Sequence, residues 1–337
     1  MRYLLIDMAN TFYRARFSAH RTANIEEKVS FAIHLAVASI NKAWRDQSAD
    51  HVICCFEGRS WRKDFYAPYK AQRAAARSAK TLNEKAEDEL FWEALENIKS
   101  FFSNHTNCTV LQNNVLEADD LIAGWIQHHP MDYHTIISSD TDFYQLLSEN
   151  VNQYNGISDE LHTLNGIYDK YGKLVIDKKT KEPKKIPDPK YLLFEKIIRG
   201  DSSDNIFSAY PGVRTKGTKN KVGLIDAYED RHIKGYAWNN LMLQRFCDHN
   251  GNEHRVLDDY LRNETLIDLT QQPIEIRKQI TDTIMEATPK NISQIGVYFL
   301  KFCGKYELIK LSEYSTEYAK WLSSSRPAVG TMPPSII

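Results

Sequence analysis

Residues 3–7 of the chain, Tyr-Leu-Leu-Ile-Asp, form a short apolar run that ends abruptly in an acid. Apolar runs without alternating polar residues are typical of parallel strands that are buried on both faces of a sheet. Comparable runs recur at 51–57, 108–112 and 134–138. Because helix-period patterns separate these runs, the sequence predicts an α/β fold with a mainly parallel central sheet covered by helices.

Acidic residues follow these apolar runs, and a further acidic motif lies near residue 200. The carboxyl ends of parallel strands meet at one edge of a sheet, so we expect the acids to share one crevice. Two like charges ~4 Å apart repel by about 4 kcal/mol at an effective dielectric of about 20, so such a cluster needs cations. Oxygen ligands alone favour Mg²⁺ or Mn²⁺. The nine candidate metal ligands are Asp7, Glu57, Glu117, Asp119, Asp120, Asp140, Asp142, Asp201 and Asp204.

Each acidic motif also has a purely structural interpretation. Acids in the first turn of a helix stabilise it by ~0.3–1 kcal/mol, which would account for one or two of the three acids in 117–120. Asp140 could cap a helix. Asp7, Glu57 and the segment 200–205 could simply begin turns. Three acids within four residues exceed what capping needs, so the motif at 117–120 favours metal binding by its own pattern. For the other motifs, the recurrence of acids at successive strand ends favours a shared site.

The composition suggests a globular protein of two domains, with 337 residues of which 42% are hydrophobic. No apolar run approaches the ~20 residues that a membrane span needs, and the sequence starts with a strand-like run rather than a signal peptide. The five cysteines show no Cys-x-x-Cys spacing, which predicts neither a zinc site nor a disulfide framework. We therefore expect a reducing, cytoplasmic setting.

The net charge of −1 hides a segregation of charge along the chain. Without the nine clustered acids the remainder carries a net charge of +8. Basic runs lie at 59–80, 178–185 and 214–221. Any one of them could be a solvated surface, but basic runs beside an acidic cluster suit a polyanion whose reacting phosphate is held by cations.

The second half of the chain changes character. Tyr, Gly, Lys and Pro interrupt short strand-like pieces at about 150–187, which indicates a hairpin excursion rather than core. Residues 189–323 read as mostly helical, and 324–337 as a disordered tail.

Six motifs succeed one another over roughly residues 1–225, and together they resemble the flap endonuclease and 5′→3′ exonuclease family, most of all its ribonuclease H members from T-even phages. Any single motif is weak, but six in this order are specific. They are Asp7 after the first strand, Phe56-Glu57-Gly58 with Arg62 and Tyr66, the basic segment Tyr69-Lys70-Ala71-Gln72-Arg73, Glu117-Ala118-Asp119-Asp120, Ser139-Asp140-Thr141-Asp142, and Gly200-Asp201-Ser202-Ser203-Asp204-Asn205-Ile206.

The resemblance implies a PIN-like 5′-nuclease core over 1–188, with a helical arch at about 59–100. It also implies a helical DNA-binding region over 189–323 that contains a helix–three-turn–helix element at 201–221. The activity it implies is structure-specific hydrolysis of phosphodiester bonds at 5′ ends or flaps of DNA and RNA–DNA duplexes. The corresponding role would be removal of RNA primers in phage DNA replication.

For the site, the resemblance implies two Mg²⁺ ions, replaceable by Mn²⁺, on the nine acids, with K⁺ as a further ion in the helix–three-turn–helix element. Lys70 and Arg73 would be catalytic groups that reach the scissile phosphate, and Tyr69 would stack on a base. Branched or nicked DNA and RNA–DNA hybrid would be the partners; a single-strand-binding protein or sliding clamp stays open, and a monomer is the default. The implied nucleic-acid-binding residues are Arg14, Tyr69, Gly212, Val213, Lys216, Gly217, Lys219 and Lys221.

Two departures from the family pattern leave alternatives open. Position 57 is Glu where the family usually has Asp, which supports an inactive junction-binding protein, and the turns at 206–210 and 214–221 are longer than in many relatives. A PIN-like single-strand ribonuclease would share the acids but lack the element at 200–221. A haloacid-dehalogenase-like phosphatase would need a second Asp shortly after Asp7, which this chain lacks.

Overall fold

The structure, a computed structural model, describes residues 1–18, 24–219 and 221–326. A seven-stranded sheet forms its centre, and a two-stranded hairpin lies apart from it. The strands are β1 (Arg2–Asp7), β2 (His51–Cys55), β3 (Thr109–Leu111), β4 (Tyr133–Ile137), β5 (Val151–Asn155), β6 (Glu160–Thr163), β7 (Gly166–Tyr168), β8 (Arg245–Cys247) and β9 (Glu253–Arg255).

Helices cover the sheet and form most of the second half of the chain. None of the described helices combines the length and apolar character needed to span a membrane. A short 3₁₀ helix occupies Thr141–Leu146. The α-helices are α1 (Met8–Ser18), α2 (Ile25–Asp46), α3 (Arg62–Phe65), α4 (Ala71–Ser78), α5 (Leu82–His105), α6 (Ala118–His128), α7 (Pro189–Arg199), α8 (Leu224–Asp230), α9 (Tyr236–Met242), α10 (Val256–Ile267), α11 (Ile274–Glu286), α12 (Ile295–Lys305), α13 (Ile309–Glu313) and α14 (Ser315–Leu322).

The strand order explains where a site can form. Across the sheet the order is β3-β2-β1-β4-β5-β6-β7, parallel from β3 to β5 and antiparallel at β6 and β7. The chain moves outward from β1 on one side through β2 and β3, then crosses to β4 on the other side. Such a switch point opens a crevice at the carboxyl ends of the strands. The predicted strands and their parallel pairing are confirmed.

Two apolar clusters cover the two faces of the sheet. Strand side chains alternate between faces, so Leu4 and Ile6 of β1 join one cluster and Tyr3 and Leu5 join the other. Helices α2 and α5 pack on the first face, and α6 packs on the second. The helix-period patterns in the first half of the sequence thus correspond to the two faces.

The C-terminal helices return to this α/β body. Ile280 of α11 joins the cluster of α6, while Phe299 of α12 and Trp321 of α14 join the cluster of α2 and α5. The predicted helical region 189–323 is therefore not one unit. Only α7 to α10 form a separate apolar cluster, which also contains Tyr69.

A helix–three-turn–helix element lies within this separate cluster. Helices α7 and α8 flank the turns at 200–223. Gly200 has a φ of 74°, and a Cβ there would lie 2.4 Å from the carbonyl oxygen of Ile206, so glycine alone fits where the turn closes on itself. The turn then brings the backbone of Leu224 to the carbonyl of Arg214.

Three expectations about chain segments need correction. In the predicted arch at about 59–100, α4 is exposed, but Phe91, Leu95 and Ile98 of α5 are core residues. In the predicted excursion at 150–187, β5 belongs to the main sheet, because its parallel pairing with β4 buries Val151. The strands β8 and β9 were not predicted.

The predicted tail, 324–337, lies mostly outside the described residues. Of the part that is described, Arg326 is buried with its guanidinium 5.0 Å from the ring of Trp125, and the carbonyl of Ser324 bonds His51. Ser324 and Arg326 thus contact rings of the protein body, whereas Ser325 between them is exposed.

Gly124 gives a test of how α11 docks on α6. A Cβ at position 124 would lie 2.2 Å from Cγ2 of Ile280. We expect Gly124→Ala to lower the free energy of unfolding by about 1–3 kcal/mol, measured by urea denaturation.

The matched control is Gly304→Ala in α12, where a Cβ meets nothing within 4 Å. It should be neutral or stabilising by up to ~1 kcal/mol, because alanine favours helix. If the clash causes the effect, Gly124→Ala combined with Ile280→Ala should cost less than the sum of the single changes. Additive costs would contradict the proposed contact.

Candidate active site at the carboxyl edge of the sheet

Strand ends and one helix start bring the predicted acids to the same edge. Asp7 ends β1, Glu57 follows β2, and Asp140 follows β4. Asp119 lies in the first turn of α6, and Glu117 is its N-cap residue. The side chain of Asp140 caps the 3₁₀ helix by accepting the backbone N–H of Asp142, so its structural interpretation also holds.

Arg62 neutralises two of these acids inside the protein. Its Nη1 and Nη2 lie 2.8 Å from Oε2 of Glu117 and Oδ1 of Asp120, and all three side chains are buried. Trp61 Nε1 and Gln272 Nε2 also donate to Asp120. Because Asp120 is fully enclosed by these donors, its predicted role as a metal ligand does not fit the structure.

Lys70 lies between two acids. Its Nζ is 2.6 Å from Oε1 of Glu117 and 3.4 Å from Oδ2 of Asp204. Burial would raise the pKa of Glu117, but Arg62 and Lys70 outweigh it and lower that pKa to about 2. Glu117 therefore stays ionised, with cations at both oxygens.

The segment 69–73 is tied to the start of the helix–three-turn–helix element. Lys70 has a left-handed φ of 53°, and its backbone N–H donates to the carbonyl of Asp204 at 2.8 Å. Arg73 Nη2 lies 2.7 Å from Oδ1 of Asp204. Lys70 is the residue just before α4, whereas Arg73 lies within that helix. Their side chains converge because both pair with Asp204.

A third cation group joins the remaining two acids. Lys196 of α7 pairs with Asp142 and, at 2.8 Å, with Oδ2 of Asp201. Sequence reasoning missed Lys196, because it lies 54 residues from one partner. The local signal is weak, because Lys196 is one of several charged residues in α7, in the last turn before the acidic segment at 201–204.

Asp7, Glu57 and Asp119 lack such cation partners within the described residues. Asp7 is buried and accepts from the N–H of Asn10 and the hydroxyl of Ser138. Burial, together with the charge of Asp140, raises the pKa of Asp7 to about 6. Burial is the main cause, and the charge of Asp7 the next, that raises the pKa of Asp119 well above its usual range. The same two causes raise the pKa of Glu57, although solvent still reaches its side chain.

The expectation of nine converging carboxylates is therefore too simple. Arg62, Lys70, Arg73 and Lys196 engage five of them. Of the other four, Asp7 lies in electrostatic range of Glu57, Asp119 and Asp140. Over the described ranges, no group of three or more His, Cys, Asp or Glu side chains is arranged to hold a metal ion directly. The four carboxylates form an excess of negative charge rather than a preformed cage.

The predicted nucleic-acid-binding residues fall into two groups. Tyr69 is 4% exposed, and its hydroxyl lies within hydrogen-bond distance of carboxylate oxygens of both Glu117 and Asp204. Its ring is packed in the α7–α10 cluster, so the predicted stacking on a base does not fit this arrangement. The other side chains lie at or near the surface. These are Arg14 on α1 and Gly212, Val213, Lys216, Gly217, Lys219 and Lys221 in the turns before α8.

The uncompensated acids should make the protein less stable as the pH rises. A raised pKa means that the folded state binds protons more tightly than the unfolded state, so the free energy of unfolding falls as pH increases from about 4 through the folded pKa. We expect Asp119→Asn to raise the unfolding free energy at pH 8 in EDTA and to change it little at pH 4.

Asp120→Asn is the matched comparison, since it removes a charge that Arg62 needs. It should destabilise at both pH values by about 3–5 kcal/mol. Equal effects of the two substitutions in denaturation experiments would contradict the division into compensated and uncompensated acids.

Comparison with known proteins agrees with this fold. A family model described as the 5′-3′ exonuclease, N-terminal resolvase-like domain, matches residues 2–172. Curated protein sequences give no match. Three bacteriophage T5 structures each share 20% identity over 85% of this chain and 99% of theirs. The first is the D15 protein co-crystallised with metal ions, with a TM-score of 0.56. The second is the 5′-exonuclease with bound zinc, and the third is a pseudo-enzyme–product complex of the D15 flap endonuclease with DNA and metal ions; both have a TM-score of 0.57.

At this identity the structural likeness is one of fold, but the family model covers half of the chain. Its range, 2–172, includes β1 to β7 and the strand ends that carry Asp7, Glu57 and Asp140. The chain belongs to the 5′-3′ exonuclease family with a resolvase-like N-terminal domain.

Proposed function

We propose that this protein is a divalent-metal-dependent, structure-specific 5′ nuclease that hydrolyses phosphodiester bonds at 5′ ends or flaps. The observation that carries the proposal is the uncompensated group of Asp7, Glu57, Asp119 and Asp140 at the switch point of the sheet. A folded protein that keeps such charges together needs a use for them, since burial without a cation is unfavourable. Family membership and the T5 structures with metal ions and DNA support the proposal.

The donor chemistry fits Mg²⁺ or Mn²⁺. The four side chains offer only oxygens, which these hard cations prefer, and Mg²⁺ usually keeps several of its waters instead of needing a complete protein cage. We expect Asp7, Asp119 and Asp140 to hold the ions, with Glu57 adding charge from the opposite side. When bound, the ions would supply an activated water and stabilise charge on the reacting phosphate and the leaving oxygen.

Lys70 and Arg73 would neutralise the substrate phosphate. Both are held at the cleft by Asp204, and Lys70 also pairs with Glu117. A phosphate entering the cleft would compete with these carboxylates for the same donors, so the cations are already oriented before substrate arrives. The two ion pairs hold the ammonium group of Lys70 at the cleft, immediately before the start of α4.

The turns between α7 and α8 would bind the duplex through its backbone. Lys216, Lys219 and Lys221 are exposed there, and contacts of this kind position a protein without reading sequence. Selectivity would then follow the structure of the substrate, with DNA and RNA–DNA duplexes both accommodated. Primer removal, a bound K⁺ ion and a single-strand-binding or clamp partner stay predictions, as does a monomeric state.

A catalytically inactive junction-binding protein is the second candidate. Glu57 in place of the usual Asp favours it, as does the lack of a direct three-ligand arrangement in the described chain. A labelled 5′ flap, a nicked RNA–DNA hybrid and single-stranded RNA, each with Mg²⁺ or EDTA, separate the candidates. Metal-dependent cutting of the first two supports the nuclease, binding without cutting supports the second candidate, and cutting of RNA alone supports a single-strand ribonuclease.

Asp140→Asn tests the acid cluster with little structural disturbance. Asparagine caps a helix about as well as aspartate, so the 3₁₀ helix should persist while one charge is lost. We expect the cleavage rate to fall by at least about 10³-fold in single-turnover assays, with duplex binding retained. Asp282→Asn, on the exposed surface of α11, is the control and should cleave normally.

Lys216→Ala tests the duplex contact. Removal of one phosphate contact should weaken binding to all sequences alike and flatten the plot of log affinity against log salt by about one unit. Lys278→Ala, an equally exposed lysine on α11, should leave the slope unchanged. Equal slopes for Lys216→Ala and the unchanged protein would count against this role.

A further inference from the structure

The turn after β7 lies at the same edge of the sheet as the acidic cleft. One row of paired residues crosses five strands: Ile6, Ile137, Tyr154, Leu161 and Tyr168. Asp7 follows the first member of this row, and the turn 169–173 follows the last. At ~4.8 Å per strand, the turn lies about 19 Å along the edge from β1 and about 14 Å from β4.

The backbone of this turn is held in place by Asp169. Its Oδ1 accepts the N–H groups of Tyr171 and Lys173, both at 2.9 Å. Gly172, with a φ of 72°, completes the turn. Because the carboxylate of Asp169 faces the backbone, the side chains of the turn project from a fixed base.

Two lysines and a tyrosine are exposed on this base. Tyr171 is 74% exposed, and the ammonium of Lys170 lies 5.1 Å from its ring centroid. Neither Lys170 nor Lys173 forms an ion pair within the described part of the chain. Asp159 lies in electrostatic range of Lys170, but its carboxylate already bonds Lys42 and Tyr154.

We propose that the turn 169–173 binds a single-stranded part of the nucleic acid, with Lys170 and Lys173 on phosphates and Tyr171 against a base. Basic groups with an exposed aromatic ring are the features that hold single strands, because every base has a face to stack. At 3.4 Å per nucleotide for a stacked strand, 14–19 Å places this contact at most about four to six nucleotides from the cleft, and fewer where the strand is extended. The inference rests on the proposed function, since it takes the acidic cleft as the place of reaction.

The same hairpin contains its own control. From Lys173 the chain runs antiparallel to β7, with Val175 bonded to Ile167, so the next turn, 177–182, lies at the opposite edge of the sheet. Lys178 and Lys179 are exposed there, and Asp177 accepts backbone N–H groups just as Asp169 does. The two turns therefore match in charge and local structure but differ in distance from the cleft.

The experiment compares the double variants Lys170→Ala/Lys173→Ala and Lys178→Ala/Lys179→Ala. Binding is measured in EDTA by fluorescence anisotropy, on a duplex with a 12-nucleotide 5′ single-stranded arm and on the same duplex without it. The first variant should bind the armed duplex roughly 10–30-fold more weakly, with a salt slope flattened by about 1.4 units. The second should stay within about twofold on both substrates.

Tyr171 separates stacking from charge. Tyr171→Ala should weaken binding of the armed duplex by roughly 5-fold or more, while Tyr171→Phe should retain it. An equal loss on both substrates, or from both double variants, would overturn the inference. Cleavage assays with Mg²⁺ test the proposed function separately. A protein that binds the arm through this turn but never cuts would refute the nuclease proposal and leave the binding role of the turn in place.

Discussion

A buried guanidinium connects the parts of this protein that make the cleft. Arg62 donates to Glu117 and Asp120 at the start of α6 and to the carbonyl of Leu266 at the end of α10. One side chain therefore fixes α3, the α/β body and the α7–α10 cluster to one another. Buried ion pairs add little net stability, but the loss of one partner leaves an uncompensated charge that costs about 3–5 kcal/mol. The arrangement therefore specifies position more than it stabilises the fold.

The acids of the cleft divide into two classes with opposite electrostatics. Arg62 and Lys70 keep Glu117 ionised, so its pKa is low and its charge is neutralised by ion pairs within the protein. Asp7 and Asp119 have raised pKa values because burial and mutual repulsion outweigh the charge of the nearby Lys70. The first class builds the wall of the cleft, and the second leaves an excess of negative charge that protonation or an added cation relieves. Asp7 and Asp119 thus depart from the rule that buried charges are paired, and such departures are expected at functional sites.

The sequence predicts those structural features that are determined by residues close together along the chain, such as strands and their ends. The strand ends at Asp7 and Glu57 could be placed because apolar runs and parallel pairing are local regularities with one geometric outcome. The pairing of Lys196 with Asp142 and the burial of Tyr69 could not, because they depend on how the α7–α10 cluster docks. The return of α11–α14 to the sheet was missed for the same reason: an amphipathic helix does not record which surface covers it.

Charge segregation then explains how a protein of net charge −1 can suit a polyanion. Electrostatic interactions between exposed groups fade over roughly 10 Å in physiological salt, so a substrate responds to nearby charges and not to the total. Cations lie along the acidic edge on both sides of the switch point: Lys70 and Arg73 after β2, and Lys170 and Lys173 in the turn after β7. A strand laid along this edge would meet positive charge, then the acidic crevice, then positive charge again. If the phosphate backbone of such a strand is held on both sides of the acidic crevice, the phosphate between the two contacts lies over the crevice. A cation bound there would offset the repulsion between that phosphate and the carboxylates.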